Sequence, residues 1–300
     1  LRKRKYNDET STETALLLVL LVFFLQISVG SLLQVLQLEI GAFLSQWILF
    51  LLPALYYWKH YDVEKDTFGR LRAFDLKVLP TILILVVSGL ILVMFLATVQ
   101  VEFLGNYGYE PIEYIPPPQT LQSLIGYFVV FGVSAGVCEE ILFRGAVMPS
   151  MEREGLLPAI IYSSLLFALL HSSYLRLFGV FLLGIIISIV VIKTGSVVTG
   201  IIYHTLHNSI LVTLQYLQGT RELAAGPQLG YVGILLFAVS IGGLILGLKI
   251  LDIQTEQRIL EDRMKYLPDN WFNWKFMMIL LSFFILATIE LAVGFGFLIS

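Results

Sequence analysis

An all-α, polytopic transmembrane bundle of about eight to nine spans is the fold class this chain predicts, on three observations. Hydrophobic residues fill 57% of the 300 positions and charged residues only 14%, where a soluble domain carries roughly 25% charge. The apolar residues gather in continuous runs close to the roughly 20 residues with which a helix crosses a bilayer. A β-barrel would instead alternate apolar and polar positions. Finally, Lys and Arg cluster on one set of alternate connections, as a membrane topology requires.

Taken in order, the runs predict spans at 14–37, 39–58, 78–99, 119–146, 156–172, 174–192, 197–216, 230–249 and 276–298. Leu1 is not a start methionine, so the N-terminus reads as trimmed or incomplete. Arg2-Lys3-Arg4-Lys5 before an apolar run imitates a signal peptide. The run is too long for one and shows no small-residue cleavage site, so a retained anchor is expected. The first two spans meet in a tight turn near Glu39. The connection 100–118 carries Glu102, Glu110 and Glu113, no Lys or Arg, and the rigid run Pro116-Pro117-Pro118. The stretch 250–275 is charged, with Ile253, Ile259, Leu260, Met264 and Leu267 at near-helical spacing. It reads either as an amphipathic surface helix or as a solvated linker. No repeat and no soluble domain is evident. The organisation is therefore N-terminal spans and loops (1–118), a central core (119–216), and C-terminal spans with the charged segment (217–300).

With the N-terminus in the cytoplasm, segments 2–5, 59–77, 144–153, 193 and 249–275 hold 17 of the 19 Lys and Arg residues; only Arg176 and Arg221 fall on the other side. A bias of this size supports both the span list and the orientation. The expected location is an integral membrane protein, with short inner loops that lean towards a bacterial plasma membrane. The lipid bilayer is one expected partner. A net charge of −3 gives no reason to expect nucleic acid. Cys138 is the single cysteine, which excludes an intrachain disulfide.

The core carries the chemistry. Glu139-Glu140 and Arg144 lie within an apolar span, where each charge at a helix centre costs about 2.5–3.5 kcal/mol by the lower scale and marks a functional site by default. Glu140 and Arg144 are i and i+4, so they share a face and can pair. Glu139 is turned about 100° away. The next span closes on Phe167-Ala168-Leu169-Leu170-His171, and the span 197–216 carries His204 and Asn208 at i and i+4. The helical rise brings these residues to a common depth in the cytoplasmic half if the hairpin joining spans four and five projects beyond the membrane.

A carboxylate in a dry cavity is a stronger base than one in water, and with a histidine it can hold and deprotonate a water molecule. A second histidine and an asparagine amide can donate to a developing oxyanion. That set hydrolyses amides without a covalent intermediate. Glu139, His171 and His204 are equally a candidate zinc set with an open water position, so the cofactor expectation is either none or zinc. No HExxH string is present. Intramembrane Glu and His also serve proton relays, which keeps a non-catalytic reading open: a proton-coupled transporter, or an immunity scaffold. The internal symmetry typical of transporters is not visible.

Glu139-Glu140-x-x-x-Arg144, Phe167-x-x-x-His171 and His204-x-x-x-Asn208 together resemble the three signature motifs of the CPBP family. This is the Abi or CAAX-protease family of intramembrane proteases, which includes the Ras-converting CAAX endopeptidases. Order and spacing match, and the resemblance covers residues 119–216. It implies an all-helical core around a membrane cavity and an intramembrane endopeptidase acting on membrane-associated proteins or peptides, such as prenylated CAAX tails, bacteriocin precursors or regulatory peptides. It further implies that Glu139 and His171 activate water, that His204 and Asn208 hold the oxyanion, and that Glu140 and Arg144 support them. Both a metal-dependent and a glutamate-dependent mechanism have been attached to the family.

The remaining polar residues fit plainer roles. Cys138, a lone thiol in an apolar helix beside two carboxylates, is a poor nucleophile. Ser172 and Ser173 are expected to end a span. His207 lies off the His204–Asn208 face and suits a lining role. Glu290, in the last span, receives no assignment from the sequence.

Overall fold

In a computed structural model, residues 10–63, 69–111, 115–152, 154–220, 230–255 and 272–297 are described. Among them the only regular structure is helical. Eight helices are long and apolar enough to cross a membrane: α1 (Thr12–Leu36), α2 (Leu38–His60), α3 (Leu76–Gly105), α4 (Leu121–Met151), α6 (Tyr174–Thr194), α7 (Val197–Gly219), α8 (Tyr231–Gln254) and α9 (Trp274–Gly294). Between α4 and α6 stands a shorter apolar helix, α5 (Leu156–Leu170). Its 15 residues rise only about 22 Å, short of a hydrocarbon core about 30 Å thick. The expected fifth span is thus a helix that stops inside the bundle. The protein is an all-α integral membrane protein.

Boundaries shift for local reasons. The α1–α2 turn falls at Gln37 rather than near Glu39. Gln37 is extended (φ −160°), and its side chain caps α2 by accepting from the Ile40 amide at 2.6 Å. α4 runs on to Met151 past Gly145 and Pro149, beyond the expected end at 146. Pro149 stands in the opening turn of the last α-helical stretch, Met148–Met151, where its missing N–H is tolerated. Of the charged stretch 250–275, residues 256–271 lie outside the described residues, as do Arg2–Lys5, Glu113, Arg153 and Arg221.

The segments expected to share the cytoplasmic side meet at one end of the bundle. Arg70 pairs with Glu152, and Lys193 with Asp252. Arg72 Nε donates to the Gly195 carbonyl at 2.6 Å, Thr12 to Glu154 at 2.8 Å, and Lys275 to Glu13 at 2.6 Å. At the opposite end the Glu110 amide donates to the Gly294 carbonyl at 2.8 Å. The alternation read from Lys and Arg therefore matches the way the helices run. Apolar side chains point outward as freely as inward. Leu32, Val35, Leu235 and Leu281 are all at least 60% exposed, as suits helices whose solvent is lipid.

Two features of α4 position the core. Gly132 and Gly136, four apart, let α7 approach closely. A Cβ at Gly132 would stand 2.8 Å from Ser209 Oγ, and one at Gly136 would overlap the Thr205 side chain and lie 3.1 Å from its backbone nitrogen. Such small-residue crossings replace the hydrophobic drive that lipid removes. One turn further along, Glu140 then reaches His204. Gly136→Leu should separate the two helices, as overpacking of a tight core costs about 1–3 kcal/mol. The expected result is a lower melting temperature in detergent together with loss of activity; an unchanged melt would refute the role given to this crossing.

Widened turns with i→i+5 hydrogen bonds are the second feature. They occur at Ser45–Leu51 in α2 and at Phe128–Ser134 and Phe143–Val147 in α4. Each turn in α4 contains carbonyls that accept from side chains. Phe131 O takes Asn208 Nδ2 at 2.8 Å, Val129 O takes Ser134 Oγ at 2.8 Å, and Gly145 O takes Trp58 Nε1 at 2.9 Å. Such turns recur at functional sites because they re-aim side chains without ending the helix.

Candidate active site

The structure brings the sequence-predicted residues together from α4, the end of α5, and α7. Glu140 and Arg144 are buried on one face of α4, Arg144 at 1% exposure and Glu140 at 0%. Arg144 Nη1 donates to Glu140 Oε1 at 2.9 Å, Nη2 to the Gly184 carbonyl at 2.8 Å, and Nε to Ser188 Oγ at 3.3 Å. The guanidinium also sits 4.8 Å from the centre of the Phe167 ring. The ion is thus paired, hydrogen-bonded and stacked, which is how a buried charge becomes tolerable. It joins α4 to α5 and α6.

Glu140 Oε1 also accepts from His204 Nδ1 at 2.9 Å. One carboxylate oxygen therefore holds both a guanidinium and an imidazole. Because a carboxylate accepts, His204 Nδ1 carries its hydrogen and Nε2 is turned to other use. His171 is placed in the same manner. Its Nδ1 bonds the Phe167 carbonyl at 2.9 Å; a carbonyl only accepts, so the lone pair of the neutral ring lies on Nε2. Phe167 stands between the two imidazoles, edge-on to His171 (5.0 Å between centroids) and to His204 (5.8 Å). The phenylalanine of the Phe-x-x-x-His string is thus the spacer of the site.

Glu139 differs from its neighbour. It is 6% exposed and, among the described residues, makes no ion pair within bonding distance. Its Oε1 accepts from Gln46 Nε2 of α2 at 2.7 Å. Its Oε2, like Oε2 of Glu140, is buried without a hydrogen-bond partner. It lies within electrostatic reach of His171. Asn208 uses one amide hydrogen on Phe131 O, which leaves the second available.

The metal set considered from the sequence is Glu139, His171 and His204. Among the described residues no group of three His, Cys, Asp or Glu side chains stands close enough to hold a metal ion. The Nδ1 bonds of His171 and His204 to protein oxygens leave each Nε2 free, as they would in a metal-ligating histidine. No step below passes through a metal.

The residues given plainer roles fall as follows. Cys138 is fully buried. Ser172 takes a left-handed conformation (φ 52°) that ends the α5 segment, and Ser173 caps α6. His207 is buried, its ring parallel to Tyr203 (15° between planes). Glu290, unassigned from sequence, fastens the turn after His171. Ser173 Oγ donates to Glu290 Oε1 at 2.7 Å and the Tyr174 amide to Oε2 at 2.5 Å. Gln46 was also missed: a glutamine in an apolar run carries no spacing signal, and its partner is 93 residues away.

Residues 121–210 match the family model described as type II CAAX prenyl endopeptidase, Rce1-like. Comparison with curated proteins gives no match, and comparison with solved structures gives none either. The matched segment contains Glu139, Glu140, Arg144, Phe167, His171, His204 and Asn208. These residues gather in one membrane-embedded cluster, and the part of the chain that holds them, residues 121–210, is similar to the CAAX prenyl endopeptidases of the CPBP family of intramembrane proteases.

Proposed function

We propose that the protein is an endopeptidase that cuts membrane-associated peptides with a water molecule activated by Glu139 and His171, and that prenylated CAAX-type tails are its first candidate substrates. The observation that carries this reading is the division of labour between adjacent carboxylates. Glu140 is held by Arg144 and His204 through Oε1, whereas Glu139 has no cation partner at bonding distance among the described residues and accepts only from the neutral amide of Gln46; the second oxygen of each carboxylate is buried without a hydrogen-bond partner.

In the reaction, Glu139 Oε2 accepts a proton from water while His171 Nε2 accepts the second O–H and fixes the attack direction. The water oxygen bonds to the scissile carbonyl carbon, whose oxygen takes the negative charge. Asn208 donates its second amide hydrogen to that oxygen. His204, its Nδ1 hydrogen held on the Glu140 oxygen that it shares with Arg144, turns Nε2 to the same oxyanion and donates there when the ring carries both hydrogens. The C–N bond then breaks as the proton held by Glu139 passes to the leaving nitrogen. The basic end of the bundle faces the cytoplasm, which matches the side on which prenylated tails reside.

The test is cleavage by purified protein in liposomes, comparing a farnesylated CAAX peptide with the same peptide unmodified. Release of the C-terminal tripeptide from the farnesylated peptide alone is expected. Equal cleavage of both would remove the prenyl requirement. Cleavage of neither that pair nor a single-span membrane peptide would contradict the endopeptidase reading.

A further inference from the structure

We propose that Gln46 of α2, outside the family-matching segment, is a positioning residue for Glu139. The inference rests on the reading that Glu139 activates the water. Gln46 Nε2 donates to Glu139 Oε1 at 2.7 Å. This is the one hydrogen bond described for the Glu139 side chain, so Gln46 decides which oxygen is committed and which is free. The bond has a required polarity. A carboxylate accepts only, so the amide presents nitrogen rather than oxygen to it. Gln46 Oε1 is then left buried without a partner, like Glu139 Oε2. Of these two unpaired acceptors, Glu139 Oε2 is the one that takes the water's proton, and the Gln46 bond to Oε1 is what leaves it free.

The backbone supports this arrangement. Gln46 stands in the widened turn Ser45–Leu51, next to Trp47, whose Nε1 donates to Ser134 Oγ on α4 at 3.0 Å. The neighbouring bond locks α2 against α4 and leaves the amide of Gln46 little freedom about Glu139. A free carboxylate rotates about its terminal torsion, which is broad and two-fold; a donor on one oxygen removes that freedom. Pre-orienting a base acts on the chemical step rather than on substrate binding.

The test measures kcat and KM for wild type, Gln46→Met, Gln46→Asn and Glu139→Gln in liposomes, on whichever of the farnesylated peptide or the single-span peptide the wild type cleaves. Gln46→Met keeps the length and removes the donor. It is expected to lower kcat about 10–100-fold with KM within about twofold, since precise placement of a catalytic group carries effects of this order. Gln46→Asn keeps an amide donor and is expected to recover part of the loss. If Gln46→Met is not folded, as judged by its detergent melt, Gln46→Glu takes its place: it matches the size and replaces the donor with an acceptor. Wild-type kcat in a folded donor-less variant, a loss confined to KM, or an Asn variant no better than the donor-less one overturns the proposal. Loss of activity in Glu139→Gln beside full activity in Gln46→Met sinks this inference alone. Full activity in Glu139→Gln sinks the reading on which it rests.

Discussion

Glu139→Gln and His171→Ala are each expected to lower kcat by about 10²–10⁴-fold, the range general acid–base groups contribute, while the protein still inserts and melts as wild type. Glutamine matches glutamate in size but cannot take the proton. The His171 ring holds little structure beyond its bond to the Phe167 carbonyl and its edge contact with Phe167. Because the two act on one water, the double variant should be hardly slower than either single one; groups that act as a unit are grossly non-additive. Multiplicative losses would mean that the two residues serve different steps. The measurement is kcat in proteoliposomes beside thermal melts of the same preparations.

Arg144→Leu is expected to give the largest stability effect. The guanidinium is the cation that balances Glu140, and it links α4 to Gly184 and Ser188 of α6. Removing one partner of a buried ion pair leaves the other uncompensated and costs about 3–5 kcal/mol. Arg144→Leu with Glu140→Gln removes both charges and should recover much of the melting temperature but not the activity, since His204 then lacks an anionic partner. A melt of Arg144→Leu equal to wild type would show that Glu140 does not depend on this cation. Phe167 sits beside the same guanidinium, so its truncation should disturb both histidines as well as Arg144.

The spans were legible because lipid imposes length and continuity on every crossing helix, and because Lys and Arg mark alternate ends. The basic-end contacts, such as Arg70 with Glu152 and Lys193 with Asp252, follow the side assignment made from charge alone. The Glu140–Arg144 pairing was legible from i, i+4 spacing. The bond between Glu140 and His204 was not, since it depends on the close approach of α7 at Gly132 and Gly136. Asn208 on Phe131 O depends on a widened turn that leaves no mark in the periodicity. Gln46 and Glu290 were illegible for another reason: each acts on a partner 93 or more residues away, and neither belongs to a spaced string. Sequence spacing records neighbours along a helix; contacts between helices need the fold.

The most direct measurement is mass-spectrometric detection of the C-terminal tripeptide released from a farnesylated CAAX peptide by proteoliposomes carrying wild-type protein or Glu139→Gln. Release by the wild type and none above background by a correctly folded Glu139→Gln is the predicted result. Release by Glu139→Gln at the wild-type rate would contradict a water activated by Glu139.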